Sequence, residues 1–120
     1  MALAFVAPTI ASVARVEVPA ALWKKVRIRE LAEPAAVVLE TRFASDFEND
    51  AYTIVEIDRR LLASAAELPR RHSLASLDAI HLACAAAIRD IASDQIEFVC
   101  ADRALALAAE AEGFEVNALA

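Results

Sequence analysis

Hydrophobic residues follow two different spacings along the chain, and the changes between them predict an alternating series of strands and helices. Short runs rich in β-branched and aromatic residues predict strands, at residues 3–7, 52–57, 96–100 and 114–119. Apolar residues three or four positions apart predict helices between them, at residues 9–28, 33–47, 59–68, 76–88 and 103–113. Strands connected through helices favour parallel pairing, so the pattern predicts an α/β fold.

Polar residues and special backbone residues predict the helix ends. Thr9, Asp58 and Ser76 are predicted N-caps, because a side-chain oxygen there accepts a hydrogen bond from an otherwise unpaired N–H group. Pro19 is expected to kink or divide the first helix, and Gly113 to end the last one.

Two helices have apolar faces that predict most of the core. The predicted face of the helix after Asp58 consists of Leu61, Leu62, Ala65 and Leu68. That of the next helix consists of Leu77, Ile80, Cys84, Ala87 and Ile88. Burial of both faces would give this part of the chain one shared core.

Length and composition limit the class of protein. The 120 residues, 59% of them hydrophobic, suffice for one domain over residues 1–120. No apolar run reaches the ~18 residues of a membrane span, and the start lacks the pattern of a secretory signal. Cys84 and Cys100, in apolar segments, are typical of small buried side chains in a reducing cytoplasm, although a disulfide stays open. We therefore expect a cytoplasmic protein.

Charge and glycine content remove several binding functions. A net charge of −6 argues against a broad basic surface for nucleic acid. Gly113 is the single glycine, so glycine-rich phosphate loops cannot be built. The charge remains compatible with an acidic metal site or with a basic peptide partner.

Three acidic residues lie in apolar segments, where an unpaired carboxylate is costly. They are Glu17, Asp78 and Asp102. Asp102 follows a predicted strand directly, and ligand sites of parallel sheets lie at the carboxyl ends of strands. A cluster of the three would be stabilised by a divalent cation, and oxygen ligands suit Mg²⁺ or Mn²⁺. The alternative is that each acid caps a helix or lies on the surface.

Two motifs, in order and spacing, resemble a known family. "SLASLDAIHLACAA" followed by "FVCADRALALAAEAEGFEV" looks like the C-terminal half of PIN-domain ribonucleases, above all of VapC-type toxins from toxin–antitoxin pairs, and "ASVARVEVPAALWKK" resembles an earlier helix of that family. The chain lacks the family's first strand with its D-T/S-S-A motif, as though roughly 25 to 30 residues were missing. The resemblance implies an N-terminally truncated PIN-like parallel sheet flanked by helices.

The resemblance also implies an activity, a cofactor and partners. It assigns Glu17, Asp78 and Asp102 to a site that binds Mg²⁺ or Mn²⁺ and hydrolyses RNA, and it makes His81 a structural residue. It implies a VapB-like antitoxin and a homodimer. Arg103, beside the predicted site, and the basic clusters at residues 24–29 and 70–72 are candidates for RNA contact. The alternative is a non-catalytic PIN-like fragment that binds an antitoxin or a sister subunit, and a weaker one is an unrelated α/β interaction module.

Overall fold

A computed structural model describes residues 8–92 and 96–119, which alternate between strands and helices as the sequence predicts. In chain order the elements are β1 (Thr9–Ala11), α1 (Ala14–Arg27), α2 (Glu33–Glu48), β2 (Thr53–Val55), α3 (Arg59–Arg71), α4 (Ser76–Ile91), β3 (Glu97–Cys100), α5 (Arg103–Ala111) and β4 (Glu115–Ala118). The α/β class is confirmed. None of the helices among these residues is long and apolar enough to cross a membrane.

The strands pair in parallel but do not form the single sheet that was predicted. β1 pairs with β2, with Thr9 opposite Thr53, and β3 pairs with β4, with Glu97 opposite Glu115. Over residues 8–92 and 96–119 these are two separate two-stranded sheets. Backbone contacts divide the chain between Glu56 and Ile57 into two compact units, and each unit contains one pair. The prediction of one domain stays a prediction.

The start of the first helix was predicted wrongly. Thr9 does not cap a helix but begins β1, where the N–H of Thr53 donates to the carbonyl of Pro8 at 2.9 Å. α1 begins five residues later, at Ala14. Thr9 and Ile10 are β-branched residues that favour a strand. Pairing of β1 with β2 therefore competes with a capping role for Thr9. The strand predicted at residues 3–7 lies outside the described residues.

The first unit packs α1 against α2. Pro19 lies inside α1 without dividing it, and the kink expected as the other possibility stays a prediction. Trp23 is half-buried, and its indole N–H donates to Glu40 Oε2 of α2 at 2.7 Å. Ala36 is fully buried on α2. A small side chain there lets the helix backbones approach closely, and the indole hydrogen bond fixes their relative positions.

Three helices end in the same way, with a left-handed residue that closes the last turn. The φ angles are 62° at Arg29, 60° at Asp50 and 91° at Gly113. After α5, the N–H of Gly113 donates to the carbonyl of Glu110 and that of Phe114 to Ala109, both at 3.0 Å. This pattern of two backbone hydrogen bonds is the Schellman motif. Gly113 therefore ends α5 as predicted, since glycine adopts positive φ without a steric penalty.

The core of the second unit lies mainly between α3 and α4. Buried side chains are Leu61, Ala65 and Leu68 of α3 and Ala79, Leu82, Ala83 and Cys84 of α4. Two leucines that were predicted to be buried are not, because Leu62 is 46% exposed and Leu77 42%. Ile80, Ala87 and Ile88 are half-buried. The buried strip on α4 is thus rotated away from Leu77, toward Leu82 and Ala83.

Of the two N-caps predicted for helices α3 and α4, one is confirmed and one is wrong. Asp58 accepts a hydrogen bond from the N–H of Leu61 at 2.8 Å and caps α3 as predicted. Ser76 is already the first residue of α4, whose N-cap is Ala75 without a side-chain hydrogen bond. Farther along, Phe98 of β3 packs against Phe114, with ring centroids 5.7 Å apart. That contact attaches the sheet to the end of α5.

Candidate functional site

Asp102 lies at the carboxyl end of β3, where the chain turns into α5. Its Oδ1 accepts a hydrogen bond from the N–H of Leu105 at 2.9 Å, so Asp102 is the N-cap of α5. The predicted position at the carboxyl edge of a parallel strand is therefore confirmed. The capping interpretation also holds, but capping uses only one of the two carboxylate oxygens.

Asp78 is the third residue of α4 and is half-buried. Cys100, the last residue of β3, shows where this carboxylate lies. Burial raises the pKa of the Cys100 thiol, and the negative charges of Asp102, Asp78 and Glu110 raise it further. Coulomb interactions weaken with distance, so these carboxylates lie within electrostatic range of Cys100. Two of the three predicted site acids thus share one neighbourhood at the end of β3.

Glu17 is half-buried in the first turn of α1 and belongs to the first unit. Asp78 and Asp102 belong to the second. Within residues 8–92 and 96–119, no group of three or more His, Cys, Asp or Glu side chains is arranged to hold a metal ion. The convergence of all three acids therefore stays a prediction, and only Asp78 and Asp102 belong to the same unit.

The other two candidate residues lie next to this pair in the sequence. Arg103 is the first residue of α5 and is exposed, directly after Asp102. His81 is half-buried on α4, one turn after Asp78. Its burial fits the structural role expected of it. Arg103 has the exposure that contact with a phosphate requires.

The two cysteines are free and differ in environment. Cys84 is buried in α4, and burial raises the pKa of its thiol to about 11. It is a small buried side chain, as predicted. Cys100 is only half-buried, and its Sγ lies 3.7 Å from the carbonyl oxygen of Asp102. The disulfide that the sequence left open is not formed.

Glu112 forms an ion cluster that was not predicted from the sequence. Its Oε1 accepts hydrogen bonds from Arg71 Nη2 at 2.6 Å and Nε at 3.2 Å, and His72 Nε2 lies 3.2 Å away. Arg89 donates from Nη1 to the Glu112 carbonyl at 2.7 Å and stacks on Phe114 at 4.0 Å. The cluster joins the ends of α3, α4 and α5. Glu112 and its partners Arg71 and His72 are about 40 positions apart. A local sequence pattern shows only that acidic and basic residues are present, and does not show that they pair.

The Glu112 cluster makes stability depend on pH. The hydrogen bond from Arg71 lowers the pKa of Glu112, against the opposing effect of burial, and His72 lowers it further. A lowered carboxyl pKa stabilises the folded state above the unfolded pKa, and this stabilisation is lost as the pH falls through the folded pKa. We expect Glu112→Gln to reduce the free energy of unfolding at neutral pH by about 1 kcal/mol, since Arg71 is half exposed.

Urea unfolding at neutral pH and at a pH below the usual glutamate range would measure this. The difference between parent and Glu112→Gln should shrink at the acidic pH, where the parent carboxyl is itself protonated. Glu110→Gln is a matched control, because Glu110 is an exposed carboxylate on the same helix. A difference that is the same at both pH values would contradict the assigned role of the Glu112 charge.

Comparison with models of known protein families gives no match, and comparison with the curated proteins gives none either. The resemblance to PIN-domain ribonucleases therefore rests on the motifs around Asp78 and Asp102 and on the segment around Glu17.

Proposed function

We propose that the protein is a VapC-like endoribonuclease toxin of the PIN-domain family, which hydrolyses RNA phosphodiester bonds with Mg²⁺ or Mn²⁺. One observation carries the proposal. Asp102, from one motif, lies at the carboxyl end of β3 as the N-cap of α5, with its Oδ1 2.9 Å from the N–H of Leu105. The charge of Asp78, from the other motif, acts on Cys100 at the same strand end. Ligand sites of parallel α/β sheets occur at this end of the strands.

The donor chemistry of this pair fits the proposed ion. Mg²⁺ is commonly bound through one or two carboxylates, together with water and substrate phosphates. Asp102 uses Oδ1 for capping, and its second oxygen has lone pairs of its own. Capping and ion binding are thus compatible in one residue. Glu17 is the third ligand of the proposal.

Each residue has a distinct role in the proposed hydrolysis. Asp78 and Asp102 would hold the divalent ion, which would supply polarisation of the phosphate and a lower pKa of the attacking water. One of these carboxylates would accept the proton of the water. Arg103, exposed beside Asp102, contacts the phosphate and offsets its charge. No nucleophilic side chain and no covalent intermediate are required.

The proposed partners are a VapB-like antitoxin and a second copy of the chain. The first unit supports an apolar partner, since Val37, Val38 and Leu39 of α2 are 47%, 63% and 43% exposed. Neighbouring exposed apolar residues are a feature of interaction surfaces. The competing proposal is a PIN-like module that binds these partners without cleaving RNA, and the same exposed apolar residues of α2 fit it.

An RNA cleavage assay tests the proposal. We expect a mixed-sequence RNA pool to be cut in the presence of Mn²⁺ or Mg²⁺ and to stay intact in EDTA, because the carboxylates act through the ion. Titration calorimetry with Mn²⁺, followed by far-UV circular dichroism, would establish metal binding and folding in the same sample. Folded protein that cuts no RNA with either metal would contradict the proposed ribonuclease activity and favour the non-catalytic alternative.

A further inference from the structure

A groove crosses the surface of the second unit between the end of α3 and one face of α5. One wall is polar and the other is apolar, and the lining residues are Arg71, His72, Ser73, Ala104, Leu107 and Ala108. Leu107 is 58% exposed. An apolar wall combined with a few convergent polar groups is the usual composition of a small-ligand site.

The two basic residues of the polar wall, Arg71 and His72, already contact the carboxylate of Glu112. Glu112 Oε1 accepts from two nitrogens of Arg71 and lies 3.2 Å from His72 Nε2. A guanidinium carries five N–H donors in a fixed fork that suits carboxylate and phosphate oxygens. Glu112 uses two of them, so Arg71 has the chemistry to bind a phosphate that shares or replaces this carboxylate.

We propose that this groove binds one nucleotide unit of single-stranded RNA, with its phosphate against Arg71 and His72 and its sugar or base against Leu107. The inference deepens the proposed function and rests on it for the identity of the ligand. It assigns a substrate-binding role to Arg71 and Leu107, which lie away from the Asp78 and Asp102 pair.

The position of the groove along α5 agrees with this assignment. Asp102 caps the helix and Leu107 lies five residues later, which is roughly 8 Å along the axis at the usual helical rise. An RNA strand held at Asp102 therefore reaches the groove within a few nucleotides. The groove would hold the strand while the phosphodiester bond at the acidic pair is cut.

Glu112 is a competitor for the same guanidinium, and this gives the proposal a specific consequence. Removing its charge with Glu112→Gln releases Arg71, so affinity for RNA should rise about threefold to tenfold. Glu110→Gln makes the same change in net charge on the same helix, at an exposed position outside the groove. It should change the affinity by less than about twofold.

Binding is measured by fluorescence anisotropy with a short labelled single-stranded RNA in EDTA, so that no metal-dependent step contributes. We expect Arg71→Gln to weaken binding about tenfold, as the loss of a charge-assisted phosphate contact predicts. Arg60→Gln is the matched control, because Arg60 is an exposed arginine of the same helix that does not line the groove. It should weaken binding by less than about twofold.

The outcomes separate this inference from the proposed function. Binding in EDTA involves no metal ion, so these differences support the groove even where no cleavage is seen. Equal weakening by Arg71→Gln and Arg60→Gln would overturn the groove, and so would equal effects of Glu112→Gln and Glu110→Gln. Thermal unfolding of each variant shows that the compared proteins are folded, and the tighter binding expected of Glu112→Gln cannot arise from unfolding.

Discussion

Asp78→Asn should reduce Mn²⁺-dependent RNA cleavage on the order of a hundredfold or more, as expected when a charged group that acts in the transition state is removed. The substitution keeps the size of the side chain and removes its negative charge. Asp78 is half-buried near Cys100 and Asp102, so its charge lies where the proposed ion binds. The measurement is the initial rate of cleavage at saturating Mn²⁺, in parent and variant.

Asp90→Asn is the matched control, because Asp90 is an exposed residue of the same helix. We expect it to cleave at the parent rate. Asp78 also interacts favourably with the N-terminal dipole of α4, worth about 0.3–1 kcal/mol, so unfolding curves of both variants must accompany the rates. Cleavage by folded Asp78→Asn at the parent rate would remove Asp78 from the mechanism.

Leu82→Ala should lower the free energy of unfolding by about 3–5 kcal/mol, the largest stability effect that we expect in this chain. Leu82 is 1% exposed between α3 and α4 and is the largest side chain that is fully buried among the described residues. Truncation removes its apolar contacts and leaves a cavity in the core. Since a domain of this size has a total stability of about 5–15 kcal/mol, this loss is a large fraction of the total and should lower the urea midpoint of unfolding clearly.

Leu62→Ala provides the comparison, because it removes the same atoms from a side chain that is 46% exposed. It should cost less than about 1 kcal/mol. Urea unfolding followed by circular dichroism gives both free energies. The packing described for the second unit would be wrong if the two substitutions cost the same, because the sequence alone places both leucines on buried helical faces.

The difference between the two leucines shows how far periodicity determines a core. A repeat of three or four residues identifies a helix and roughly which half of it is apolar, but it does not set the rotation of the helix against its neighbour. Leu62 and Leu77 lie at the edges of their apolar faces, and packing of α3 on α4 leaves both exposed. The exposed edge residues could therefore be found only after the helices were placed.

The candidate site divides in the same way. The sequence placed Asp102 after a strand and at a helix start, because strand and cap preferences are local, and both features are confirmed. It also placed Asp78 in the first turn of a helix. That both charges act on Cys100 depends on how α4 lies against β3. The approach of Glu17 to this pair stays a prediction from the resemblance.

The sequence by itself determined the α/β class, the parallel pairing, most helix ends and the caps at Asp58, Asp102 and Gly113. These follow from interactions within a few residues or from the order of the elements. Tertiary structure alone decided the division of the strands into two pairs, the exposure of Leu62 and the ion cluster of Arg71 and Glu112. Those features depend on contacts between residues far apart in the chain, and a local pattern of polar and apolar positions contains no information about them.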